Sequence, residues 1–167
     1  MLTIISGSSR EDNNTRKVAQ EYQRILLEKF KTDAQIYALD EINATSRDSS
    51  FKKAETQLLI PAQKFIIIMP EYNGSFPGIL KLMIDNSDIK KVWQHKKVLL
   101  TGVSTGRAGN LRGMEHLTGI LLYLKALVHP NRLPISMVDQ LMNEQGRFTD
   151  ENTLTAIQTQ LNEFVNF

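Results

Sequence analysis

The chain has 167 residues, no cysteine, 41% hydrophobic residues and 20 Lys and Arg against 18 Asp and Glu. That length predicts one domain spanning residues 1–167 with a core that needs no covalent staples, and the missing thiols exclude disulfides, thiolate metal sites and cysteine nucleophiles. A net charge of +2 gives no nucleic-acid footprint, and no apolar run reaches the roughly 18 residues of a bilayer span.

The predicted elements alternate between two periodicities. Residues 2–6 form a short apolar run closed by Gly7, which reads as a buried strand. After a polar stretch, Val18, Tyr22, Ile25, Leu26 and Phe30 fall at helical spacing with charged residues between them, the pattern of an amphipathic helix. Residues 34–39 read as a second strand, 40–50 as irregular, and 51–60 as a short helix ending near Pro61. Residues 65–69 (FIIIM) are apolar without alternation, which suits a parallel strand covered on both faces. A Pro/Gly/Asn loop at 70–78 precedes a helix from Ile79. Residues 97–103 supply a fourth strand, and 110–127 a long helix with Leu111, Met114, Leu117, Leu121 and Leu124 on one stripe. A fifth strand falls at 127–130 or at 133–138. Thr149 or Asp150 caps a last helix whose stripe is Leu154, Ile157, Leu161, Phe164 and Val165.

Strands alternating with helices predict a three-layer α/β/α domain around a five-stranded parallel sheet. Ligands of such sheets bind beyond the carboxyl ends of the strands, at the switch point of strand order. That rule selects the loops after strands one, three and four, which are also rich in Gly, Ser, Asn and Arg.

The first loop carries Ser8, Ser9, Arg10, Asn13, Asn14 and Thr15 directly before a helix. Free amides and the positive end of the helix dipole suit a phosphate there, and hydroxyls and an Arg add directed donors; an ordinary helix cap with a solvated Arg10 fits the same residues. The loop matches neither G-x-x-x-x-G-K-[ST] nor G-x-G-x-x-G, so a single terminal phosphate suits it better than a triphosphate or a dinucleotide. The second loop, PEYNGSFPG, places an Asn73–Gly74 turn between two prolines. It reads either as backbone brought against a planar ligand flanked by Tyr72 and Phe76 or as a structural turn. The third, STGRAGNLRG, brings Arg107 and Arg112 with several glycines, as a wall to the ligand, a second anion site or a solvated loop. His95, His116 and His129 lack paired spacing, so no metal site is expected. No G-x-S-x-G elbow is present, and no side chain is assigned a catalytic role.

Taken together, GSSR and NNTRKVA within 7–19, PEYNGSFPGILK at 70–81 and STGRAGNLRG at 104–113 resemble the NADPH-dependent FMN reductase family of flavodoxin-like proteins, which includes azoreductases, quinone reductases and chromate-reducing enzymes. The resemblance extends to GRFTDE at 146–151. It implies a flavodoxin-like sheet of strand order 2-1-3-4-5 with FMN bound non-covalently at the carboxyl edge. The matching positions would be Ser8, Ser9, Arg10, Asn13, Asn14 and Thr15 at the FMN phosphate, and Pro70, Glu71, Tyr72, Asn73 and Gly74 under the isoalloxazine ring. Ser104, Thr105, Gly106 and Arg107 would lie at the ring edge or the nicotinamide nucleotide. Family patterns often carry Ser and Asn where this chain has Asn13 and Thr15, and an aromatic where it has Asn86. The implied activity is hydride transfer from NADPH or NADH through FMN to a small-molecule electron acceptor, in a homodimer or homotetramer, while composition and charge by themselves lead one to expect a cytoplasmic domain that engages neither nucleic acid nor membrane. The rival expectation is a flavodoxin-like electron carrier or a flavin-binding sensor. Such carriers are usually strongly acidic, against the net charge of +2 here.

Overall fold

A computed structural model describes residues 1–167 and resolves the alternating pattern into six strands and six helices. The strands are β1 (Leu2–Ser6), β2 (Ala34–Ala38), β3 (Lys64–Pro70), β4 (Lys97–Val103), β5 (Leu127–Val128) and β6 (Leu133–Ile135). The helices are α1 (Asn14–Phe30), α2 (Ser49–Ala54), α3 (Gly78–Asn86), α4 (Ile89–Val92), α5 (Leu111–Tyr123) and α6 (Glu151–Asn166). All pairings are parallel, and the order across the sheet is β2-β1-β3-β4-β5.

The unbroken apolar run of β3 is explained by its central place. Successive side chains of a strand point to opposite faces, and both faces are covered here. Ile66 and Ile68 join Leu2, Ile4, Leu99 and Val103 beneath α1 and α6, packing against Val18, Tyr22, Ile25, Ile157, Leu161 and Phe164. Phe65, Ile67 and Met69 face the other way with Ile5, Val98 and Leu100, against Phe51, Leu80, Met83, Trp93, Met114, Leu117 and Leu121. Trp93 is fully buried and donates from its indole N–H to Ser87 Oγ at 2.7 Å.

The helix boundaries follow from capping. The Asn13 carboxamide oxygen accepts the Arg16 amide at 2.7 Å, and α1 stops where Lys31 turns left-handed at φ 52°. Asp48, Asp88 and Asp150 cap α2, α4 and α6 in the same way. α2 begins at Ser49 rather than 51 and runs into one π-helical turn at Glu55–Leu59. α5 is shorter than the apolar stripe suggests: it ends at Tyr123, and Lys125 takes φ 62°.

The sequence offered two places for a fifth strand, and both are occupied, giving six strands rather than five. β5 and β6 pair in turn with the lower and upper halves of β4. They are two pieces of one edge position, interrupted at 129–132. The Leu127 and His129 amides donate to Lys96 O and Val98 O, but the next donor in that register, Asn131, gives its amide to His129 Nδ1 at 3.2 Å instead, and the Gln160 side chain fills the gap. Its Nε2 donates to Leu100 O at 3.2 Å and Asn131 O at 2.9 Å, while its Oε1 accepts from the Tyr22 hydroxyl at 2.8 Å. A buried Gln on α6 thus replaces the missing strand bonds and ties α1 and α6 to the sheet edge.

Candidate functional site

The loops following β1, β3 and β4 meet at the carboxyl edge of the sheet around a cavity of about 290 Å³. Ten of the fifteen residues singled out in the sequence line it: Ser8, Arg10, Asn13, Asn14, Thr15, Pro70, Glu71, Tyr72, Ser104 and Thr105. Ser9, Asn73, Gly74, Gly106 and Arg107 do not. Glu11, Asp12, Val103 and Val138 line it as well. Glu11 and Asp12 sit inside the first loop, and a search for phosphate donors passes over carboxylates. Val138 arrives from a segment that no motif marks.

The first loop is shaped by Gly7, whose amide donates to Ile68 O at 2.8 Å; a Cβ there would lie 3.1 Å from the same carbonyl and 3.2 Å from Leu80. The chain turns at Asp12, in left-handed backbone at φ 48°. Asn13 has both ends of its carboxamide engaged: Oδ1 caps α1, and Nδ2 donates to Arg10 O at 2.6 Å and toward Asp40 at 3.4 Å. Asn14 and Thr15, the first two residues of α1, present amides with no carbonyl partner inside the helix. The donors this loop leaves free beside the cavity are therefore the backbone amides of Asn14 and Thr15 rather than the Asn13 side chain.

Ser8 is fully buried, and its Oγ accepts the Arg10 amide at 3.3 Å and lies 2.9 Å from the Tyr72 hydroxyl. The Arg10 guanidinium lies over the Tyr72 ring, 4.1 Å from its centroid. Arg10 takes part in none of the nine ion pairs of the chain, so its charge is not neutralised by a carboxylate.

The second loop is anchored from below. The Glu71 amide donates to Val103 O at 3.0 Å, and the Glu71 carboxylate accepts the Asn110 amide at 3.3 Å. Asn110 is fully buried at φ 61°, and its Nδ2 donates to Pro70 O at 2.8 Å and Met69 O at 3.3 Å. One side chain at the start of α5 thus fixes the exit of β3. Beyond it, Tyr72 and Ser75 exchange two backbone bonds at 2.9 and 3.1 Å, with Asn73 at φ 53° and Gly74 at φ 76°. Positive φ at both central residues is the type I′ geometry that Asn-Gly favours. Phe76 packs against the core rather than flanking the cavity, and Ser75 Oγ lies 2.9 Å from His116 Nδ1.

In the third loop the Ser104 hydroxyl donates to Gly106 O and accepts the Gly109 amide, both at 2.9 Å. Gly102 and Gly109 then approach so closely that a Cβ on Gly102 would lie 2.1 Å from Gly109 O. The loop is also stitched to residues 135–138 through Ser104, Gly106 and Met137, which is how Val138 reaches the cavity. Arg107 stands exposed outside it.

The whole arrangement offers three kinds of contact. Two unpaired amides and an unneutralised guanidinium converge at a helix N-terminus, where the dipole adds a positive field. A buried hydroxyl and an aromatic ring lie beside them, and the fixed backbone of Pro70–Tyr72 and Ser104–Thr105 closes the remaining sides. Oxygen-rich anions with an attached planar or apolar body match that set. No helix is long and apolar enough to cross a membrane.

The NADPH-dependent FMN reductase family model matches residues 1–140. A 2-hydroxy-1,4-benzoquinone reductase of Burkholderia is 25% identical over 98% of this chain and 93% of its own length. An FMN-dependent NADPH-azoreductase of Staphylococcus aureus is 27% identical over 87% of this chain and 81% of its own. Among solved structures, the flavoenzyme NAD(P)H:(acceptor) oxidoreductase FerB of Paracoccus denitrificans superposes with a TM-score of 0.77, covering 99% of this chain and 94% of that one at 23% identity. Flavodoxin 2 of Bacillus cereus superposes at 0.67 with 13% identity, covering 99% and 97%. At those identities the two superpositions speak to fold.

Proposed function

The chain belongs to the NADPH-dependent FMN reductase family, and from that premise we propose that it passes hydride from NAD(P)H through non-covalently bound FMN to a small acceptor, a quinone, azo compound, free flavin or metal oxyanion, in a ping-pong cycle. The observation that carries the reading is the convergence of the α1 N-terminus, Arg10 and Ser8 with Pro70–Tyr72 and Ser104–Thr105 on one cavity at the carboxyl edge of β1, β3 and β4.

The residues fit the group. The amides of Asn14 and Thr15, with Arg10, hold the phosphate. Pro70, Glu71 and Tyr72 supply the wall for the ring, with Asn73 and Gly74 as the rigid turn beyond it. Ser104 and Thr105 close the ring edge, and Gly106 and Arg107 stand at the outer rim, where a nicotinamide nucleotide would arrive. Ser9, exposed beside Ser8, is an outer neighbour of the phosphate rather than a holder. When bound, FMN supplies the hydride-accepting and hydride-donating chemistry. The chain's part is to bind, orient and leave one ring face open, so no side chain has to move a proton. In the ping-pong reading, donor and acceptor take turns at that face.

Assembly as a homodimer or homotetramer belongs to the same reading. Ile89 of α4 and Tyr123 of α5, 45% and 85% exposed, line one groove with Ile84, Ile120 and Leu124, an apolar surface that a second copy would cover; sedimentation at several concentrations decides it. A cysteine-free chain is at home in the reducing cytoplasm.

The deciding experiment is direct. The purified protein is loaded with FMN, freed of excess and mixed anaerobically with NADPH and with NADH. Bleaching of the flavin spectrum in stopped flow supports the reading. A protein that takes up no FMN refutes it, and one that takes up FMN but is reduced by neither nucleotide is the electron carrier instead.

A further inference from the structure

The contacts of Tyr72 close a circuit. Its hydroxyl meets Ser8 Oγ at 2.9 Å, Ser8 Oγ accepts the Arg10 amide at 3.3 Å, and the Arg10 guanidinium returns to the Tyr72 ring at 4.1 Å. Arg10 is otherwise exposed and without a carboxylate partner. An unpaired Arg at the tip of a loop would lose rotamer freedom on meeting an anion, and two carboxylates of the same loop, Glu11 and Asp12, line the same cavity. The Tyr72 ring face holds the cation by its quadrupole and leaves the outer edge of the guanidinium, with its donors, free.

We infer that Tyr72 is a positioning residue for Arg10: it orders the guanidinium for the phosphate of FMN, so that a residue of the second loop sets the phosphate affinity of the first. This rests on the FMN reading above. It predicts that Tyr72 acts on the difference between FMN and riboflavin, which share a ring system and differ by the phosphate, whereas a residue that only touches the ring would act on both alike.

The test measures dissociation constants of FMN and riboflavin by flavin fluorescence for the wild type, Tyr72→Leu, Tyr72→Phe, Arg10→Ala and the Arg10→Ala/Tyr72→Leu double variant. Melting curves and circular dichroism verify folding. The quantity read is the preference, the riboflavin constant divided by the FMN constant. Loss of an exposed cation–π contact corresponds to about a two- to fivefold fall in preference for Tyr72→Leu. Tyr72→Phe keeps the ring face and should fall less. In the Arg10→Ala background the Tyr72 substitution should leave the preference unchanged. If Tyr72→Leu weakens both flavins equally, or lowers the preference as much without Arg10 as with it, the positioning role is wrong while the FMN reading stands. If Tyr72→Leu does not fold, Tyr72→Phe and Arg10→Lys decide: Arg10→Lys keeps the charge but loses the flat stack, and a preference unchanged in both overturns the inference. A wild type that binds neither flavin refutes the functional reading and the inference with it.

Discussion

Asn110 is the residue on which the second loop hangs, and its replacement separates two contributions. Asn110→Ala removes the Nδ2 bonds to Pro70 O at 2.8 Å and Met69 O at 3.3 Å, each with a net value of about 0.5–1.5 kcal/mol. It also puts a residue without local side-chain bonding into left-handed backbone at φ 61°, a further cost of about 1 kcal/mol. The sum is about 2–4 kcal/mol, or about 4–16 °C in Tm for a chain of this size. Asn110→Gly loses the same bonds but adopts the positive φ freely, so it should be milder than Ala by about 1 kcal/mol. Asn110→Asp keeps shape and backbone preference but turns a buried carboxylate toward two carbonyl oxygens, and should be the worst of the three. Urea unfolding of the flavin-free protein, followed through the single, fully buried Trp93, ranks them. The expected order of cost is Gly, then Ala, then Asp, with FMN affinity falling in step as the 70–72 wall loosens. An Asp variant as stable as the wild type would show that the Nδ2 donor carries no weight. An Ala variant no worse than Gly would show that the left-handed backbone does not.

Two glycines of α5 should respond to alanine in opposite directions. At Gly113 a Cβ would lie 2.1 Å from Asn110 Oδ1, so Gly113→Ala should cost about 1–3 kcal/mol by overpacking, whereas at Gly119 nothing lies within 4 Å and helix propensity should add up to about 1 kcal/mol; melting curves test both. Arg10→Ala should weaken FMN binding more than Arg107→Ala, because Arg10 lines the cavity and Arg107 does not, and equal losses in titration would reject the phosphate assignment. Burial pushes the Glu21 carboxyl up, but Arg24 and Arg147 outweigh it and hold it below the usual range, and amide or hydroxyl donors do the same for Asp48, Asp88 and Asp150. Carboxyls depressed in the folded state contribute stability above their unfolded values near 4 and lose it as pH falls through the folded ones. Tm should therefore hold between pH 7 and about 5 and drop below about 4, with a shallower drop in Glu21→Gln; a Tm that climbs on acidification would contradict the assignment.

The parts of the fold that could be read in the sequence were those with one dominant cause. Five apolar residues in a row at 65–69 have one comfortable place, a central parallel strand covered on both faces, and they are found there. Asn73–Gly74 has one comfortable turn, and its two positive φ angles match it. The edge strand had no single cause. It breaks where Asn131 turns its amide back to His129, and only the distant Gln160 shows how the break is tolerated, reaching Asn131 O across 29 residues of sequence and Leu100 O across 60, a compensation that no local pattern carries.

The site divides along the same line. The loops were legible because the sheet topology says where ligands go and the composition says which loops can hold one, and two independent signals agreed. What each residue does inside those loops was not legible, because it depends on who is already engaged. Asn13 has the right chemistry for a phosphate and spends it on capping α1. Ser104 has a free-looking hydroxyl and spends it on Gly106 and Gly109. Asn110 looked like a helix start and is the support of the neighbouring loop. A polar residue can serve a ligand only with the hydrogen bonds its own fold has left over. By that measure the Asn14 and Thr15 amides and the Arg10 guanidinium, with Tyr72 at its face, are the donors this edge has left over.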